Sequence, residues 1–186
     1  MKQLSYTIES ALHPPLYFAR NWEFMTYIID PSAKVSVLAD LEDSVRGSVF
    51  QIGKRTEIDS FVKFKPAGGN GNVTIGDDCF INSGTVIYSG NGVVLGNNVL
   101  VASNCTFAPT DHNFSDTELT ISSQGFTSSK DGIVVGDNVW IGANCVILDG
   151  ARIGTGTVVG ANSLVMGYLE PYSVYMGSPV MRVRKR

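Results

Sequence analysis

Residues 135–167 read VGDNVW-IGANCV-ILDGAR-IGTGTV-VGANSL-VMG, and every block of six opens on an aliphatic side chain: Val135, Ile141, Ile147, Ile153, Val159 and Val165. Two residues before these stand Ile133, Val139, Cys145, Ala151, Thr157 and Ser163, a set that becomes small along the run. One residue after them come Gly136, Gly142, Leu148, Gly154, Gly160 and Met166. A period of six is neither the helical period nor the alternation of a single strand. It predicts a parallel β-helix in which each hexad supplies one short strand and one turn. The aliphatic residue fills the axis, the small residue lets the walls close, and Gly permits the bend where a Cβ would clash.

Upstream the same pattern continues with interruptions. Val35 and Leu41 are followed, after five extra residues, by Ile52, Ile58 and Phe64. Five more extra residues, around Ala67–Gly71, lead to Ile75, Ile81 and Ile87, and two at Gly90-Asn91-Gly92 lead to Leu95, Val101 and Phe107. The surplus gathers where Gly and Asn cluster, as insertions at corners should. Three hexads per block predict an all-β prism with three flat sides and roughly 18 residues per coil. From Phe107 to Val135 the step is 28, read as two hexads plus 16 residues. The surplus lies within His112–Asp131, so one long loop, 113–131, leaves the coil directly after His112; such excursions are usually functional or disordered. Residues 1–34 keep no period of six yet carry Leu16, Phe18, Trp22, Phe24 and Ile28. They read as a cap over the open end of the coil, with a short helix over about 16–27 bounded by Pro15 and Pro31. A lipid- or acceptor-contacting segment is the other reading. The coiled domain then runs over 35–186 and ends in a basic tail.

Bulk properties exclude several classes. The chain has 186 residues, 44% hydrophobic and 17% charged, with 20 Gly, which suits one β domain with a real core. A net charge of −3 supplies no field for nucleic acid. No apolar run has the length of a membrane span or of a signal peptide, so a cytoplasmic protein is expected. Cys79, Cys105 and Cys145 lack metal-type spacing, and each falls in an inward slot, where a thiol acts as a small hydrophobe. A covalent Cys mechanism is therefore not expected. His13 and His112 are the only histidines, too few for a three-His zinc site in one chain. No metal is expected, and His13, before two prolines, reads as structural.

The stretches Leu95–Leu100 (LGNNVL), Thr110-Asp111-His112, Gly136–Gly142 (GDNVWIG) and Gly177-Ser178-Pro179 before the basic tail resemble the hexapeptide-repeat acyltransferases. The chain is most similar to the sugar O-acetyltransferases of the galactoside, maltose and O-antigen type, from about Val49 onward. The resemblance implies a left-handed parallel β-helix and a homotrimer, the handedness being opposite to ordinary crossovers. It implies acetyl-CoA as donor and, as acceptor, a sugar hydroxyl of a surface polysaccharide or its precursor. N-acetylation of an amino sugar or sugar nucleotide is the alternative, as is a β-helix with no catalytic role.

His112 is the candidate general base, since imidazole has the pKa suited to deprotonating an alcohol. Asp111 is adjacent, but neighbours on a strand point to opposite sides, so the group that orients the imidazole stays open. The resemblance places Asn82 on an acceptor-holding Asn; bonding within its own turn is the other reading. Trp140 either walls the thioester channel or covers a subunit contact. Where the galactoside enzymes carry a Ser, this chain has Ala143, so the oxyanion donor is a backbone N–H of Gly142 or Ala143. Coenzyme A is expected along Ala143 and Ala161, with its phosphates on Arg182, Arg184 and Lys185, unless that tail is merely solvated. Met166-Gly167 replaces the Thr-Lys pair of the galactoside enzymes.

Overall fold

The computed structural model describes residues 26–186. Within them the chain winds through six full turns and part of a seventh around one axis and builds three walls. Neighbours in each wall come from successive coils, so sequence order advances by three strands at every step but the last of the second wall. The walls hold seven, eight and six strands. The coil is the expected left-handed parallel β-helix. Right-handed crossovers owe their prevalence to a helix that must pack back on its sheet. Here corners of four residues replace the helix, and that constraint is absent.

Apart from the final strand of the second wall, pairing is parallel and in register along each wall. On the first, Val93 and Leu95 face Ile133 and Val135; on the second, Val101, Ile141 and Val159 align; on the third, Phe107, Ile147 and Val165 align. The aliphatic residue of every hexad from Ile133 to Val165, and the small residue two before it, is buried. Thr56, Thr85 and Thr157 fill small slots and are hydrogen-bonded there, Thr157 Oγ1 donating to Glu170 O at 2.9 Å. Tyr27 stacks on Phe50 (5.0 Å between centroids) and Phe50 meets Phe64 edge-on (5.5 Å), an aromatic plug in the first two coils.

The corners explain the Gly and Asn. A Cβ on Gly142 would lie 2.5 Å from the Ala161 nitrogen of the next coil, so Gly is required there by close approach between coils. The left-handed backbone falls two residues later, on Asn138, Asn144 and Asn162, a residue type that tolerates it. Between the first and second walls, side-chain rungs bridge the coils: Lys54 N donates to Asp77 Oδ1 (2.7 Å), Asp77 N to Asn97 Oδ1 (2.8 Å) and Asn97 N to Asp137 Oδ1 (2.7 Å).

Every insertion falls on the remaining edge, between the third wall and the first. Three readings change. The coil begins at Tyr27–Ile29, which pairs with Phe50–Ile52, so it starts ahead of the expected boundary at 35. The expected cap and helix otherwise lie outside the described residues, as does His13. The chain also passes from Thr106–Ala108 directly to Ile133–Val135. The whole step of 28 is thus one corner, without a further hexad inside it. Finally, the basic C-terminus is a strand, Met181–Lys185, antiparallel to Ser173–Met176.

Phe107, fully buried between Ile87 and Ile147, gives the core its test. Phe107→Ala is expected to lower unfolding free energy by about 3–5 kcal/mol in urea titrations, the usual cost of an emptied aromatic site.

Candidate active site

The excursion after Thr106–Ala108 is a tethered hairpin. Thr110 Oγ1 donates to Gly68 O (3.2 Å), seating the outgoing leg on the Gly-rich turn two coils earlier. Asn113 N donates to Gly125 O (3.0 Å) and Thr127 N to Asp111 O (2.9 Å), which sets His112 opposite Phe126. At the tip Gln124 bonds Asp116 through both ends of its amide, Nε2 to O at 2.8 Å and Oε1 from N at 3.0 Å. A short 3-10 turn, Ile121–Ser123, precedes it.

The return leg is fixed by two residues that the sequence reading did not single out. Buried Asp149 accepts from Lys130 N (2.9 Å), Gly132 N (3.0 Å) and Asn91 Nδ2 (3.0 Å). Arg152 donates from Nη1 to Gly132 O (2.7 Å) and from Nη2 to Asp131 O (3.1 Å). A signal for them existed: Asp149 and Arg152 are the only charged residues between Ile141 and Gly167.

His112 is exposed at the root of this hairpin. Its ring lies 4.7 Å from that of Phe126, tilted by 35°. The Asp111 carboxylate accepts the backbone N–H of His112 (2.9 Å). It is therefore turned to the main chain and does not orient the imidazole.

The other candidates gather on a different edge, between the second and third walls. Asn82, Gly142, Ala143 and Ala161 follow second-wall strands of three coils and stack along that corner. Asn82 Oδ1 accepts from Ser83 N (2.8 Å) and Ser83 Oγ (3.3 Å), so its carbonyl closes its own turn. Gly142 N–H donates to Val159 O at 2.8 Å, which removes it as an oxyanion donor. Ala143 O accepts from Asn162 N (2.9 Å), while its N–H has no partner among the described residues. Of the two expected donors only Ala143 is open. Trp140 points outward just before this corner, 54% exposed, beside exposed Leu100.

The cationic residues are more spread than a tail would be. Arg182 lies across from Tyr175 and pairs with Glu170 (2.6 Å). Arg184 and Lys185 run back along the second wall opposite Val174 and Ser173. All three are exposed.

The cysteines are all buried. Their thiols donate inward, Cys79 to Gly96 O (3.1 Å), Cys105 to Gly142 O (3.2 Å) and Cys145 to Gly160 O (3.1 Å). Hydrogen bonding between the stacked pair, and then burial, pushes the Cys105 thiol up, while the same contact draws Cys145 down. Neither thiol is accessible to a substrate, since both residues are 0% exposed. Among the described residues no three His, Cys, Asp or Glu side chains converge as a metal site would, and no helix is long and apolar enough to cross a membrane.

Comparison with known proteins adds to this geometry. The family described as "Bacterial transferase hexapeptide (six repeats)" matches residues 132–167, and "Hexapeptide repeat of succinyl-transferase" matches 72–106. Across its whole length the chain is 26% identical to the "Probable acetyltransferase" of Mycobacterium tuberculosis, and it spans 63% of that protein. A hexapeptide-repeat containing acetyltransferase from Vibrio cholerae is 30% identical, with a TM-score of 0.60 and 72% of each chain covered. AntD, an N-acyltransferase from Bacillus cereus solved with dTDP and 3-hydroxybutyryl-CoA, is 25% identical, with a TM-score of 0.71 and coverage of 86% of this chain and 82% of that one.

Asp149 supplies the test of the anchored hairpin. Asp149→Ala leaves three donors unpaired and is expected to cost about 2–3 kcal/mol. In limited proteolysis cleavage within 114–131 should accelerate, and unchanged cutting there would show that the return leg does not depend on this carboxylate.

Proposed function

Because the chain belongs to the hexapeptide-repeat transferases, we propose that it moves an acetyl group from acetyl-CoA to a sugar, with His112 as the general base. The observation that carries this reading is the exposed imidazole at the root of an anchored hairpin, on the edge where the coil opens. The leading acceptor is a sugar hydroxyl of a surface polysaccharide or its precursor. An amino group on a nucleotide-linked sugar is the second reading, favoured by the likeness to AntD. A coenzyme A thioester as donor places the reaction in the cytoplasm.

The steps follow from the groups present. An imidazole nitrogen takes the acceptor proton as the oxygen or nitrogen attacks the thioester carbonyl. The Ala143 N–H, the open donor on its corner, holds the resulting oxyanion. Collapse breaks the C–S bond, and the imidazolium returns its proton to the leaving thiolate. Trp140 and Ala161 line the path of the pantetheine arm, and Asn82 offers its amide NH₂ to the acceptor. Arg182, Arg184 and Lys185 face the phosphates; the Glu170 pair is exposed and contributes little that a phosphate would have to replace.

Within one copy His112 stands on one edge of the prism, while Asn82 and Ala143 stand on another. The reading therefore requires a second copy that brings its Ala143 edge against the His112 edge of the first. Repeating that contact around a closed ring of three prisms gives a homotrimer with three such grooves.

His112→Ala is expected to lower kcat by about 10²–10⁴, the usual contribution of a positioned base. Thiol release from acetyl-CoA, measured with hydroxyl sugars and amino sugars side by side, reads both the base and the acceptor class. Near-wild-type turnover by the variant would remove His112 from the mechanism. Sedimentation as a monomer would remove the shared groove.

A further inference from the structure

The hairpin does more than begin at His112: its return leg comes back to touch the imidazole. Asn113 N to Gly125 O and Thr127 N to Asp111 O flank the His112–Phe126 pair, which is therefore a non-hydrogen-bonded antiparallel pair. In such pairs the two side chains share a face and the Cα atoms approach most closely. Contact between the rings, at 4.7 Å and 35°, follows from the backbone pairing. The return leg is in turn tied to the core by Asp149 and Arg152.

We infer that Phe126 is a positioning residue, which covers one face of the His112 imidazole and fixes the plane in which its nitrogens present themselves. The inference rests on His112 acting as the base. Phe126 has no polar atom, so it cannot compete for the imidazole proton or choose its tautomer. What it supplies is orientation and the exclusion of water from one ring face. Both nitrogens lie in the ring plane, and a tilted contact on the ring face leaves that edge open to an acceptor. A base held in this way loses rate when its support is cut away, because small misplacements of a catalytic group cost up to about a hundredfold.

The test uses the full chain and two readouts. In ¹H–¹³C spectra the His112 ring signal, identified by its loss in His112→Ala, should move downfield in Phe126→Ala and Phe126→Leu as the ring current disappears, and return in Phe126→Tyr. With acetyl-CoA and the sugar acceptors above, kcat of Phe126→Ala should fall about ten- to a hundredfold, with KM for acetyl-CoA unchanged and Phe126→Tyr restoring the rate. Adding Phe126→Ala to His112→Ala should cost nothing further. Phe126 is 46% exposed, so folding should survive these changes. An unmoved His112 signal and full kcat in Phe126→Ala, where His112→Ala is inactive, would overturn the positioning role and leave the base intact. Full activity of His112→Ala would instead overturn the base.

Discussion

Three columns of side chains, each stacked in register from coil to coil, hold this molecule together. On the second wall Ile58, Ile81, Val101, Ile141 and Val159 lie directly over one another through parallel pairing. A slip of one residue would turn an entire strand inside out. The hexad is the simplest sequence that satisfies this constraint at all three walls together. Small residues two positions earlier keep the interior from overfilling, and Thr56, Thr85, Thr157, Cys79, Cys105 and Cys145 in those slots donate to main-chain carbonyls.

Rigidity of that kind forces irregularity elsewhere. The first two corners carry backbone so close to the next coil that Gly142 has no room for a Cβ. They accept no extra residues. The third edge takes all of them, from two at Gly90–Gly92 to the whole hairpin that ends at Gly132. The groups proposed for catalysis are thus separated by type. The proposed backbone donor stands on an edge without insertions, where position is fixed by the ladder, and the imidazole stands on the edge that holds the insertions, where chain can be spared to support it.

Most of the fold is written in the sequence. The aliphatic positions of 133–165, the inward cysteines and the corner insertions are all periodic, and periodicity is local information. The position of His112 at the root of the excursion was also legible, as the one of two histidines at a break in the pattern. What could not be read depends on contacts between residues remote in the chain. Phe126 lies fourteen positions from His112, and nothing in its neighbourhood marks it. Asp149 and Arg152 stand out only as charges in an uncharged run. The state of Gly142 N–H depends on Val159 O, which only the register reveals. Likewise the C-terminal cations read as a tail because alternation in Met181–Lys185 is hidden by their charge.

That final strand has a further consequence. A solenoid of identical coils has no intrinsic length, since the top of one copy offers the same parallel ladder that the bottom of another expects. By running backwards against Ser173–Met176, Met181–Lys185 presents a reversed strand with outward cations in place of that template. On the second wall the reversed chain direction and the outward cations thus oppose end-to-end growth into fibres.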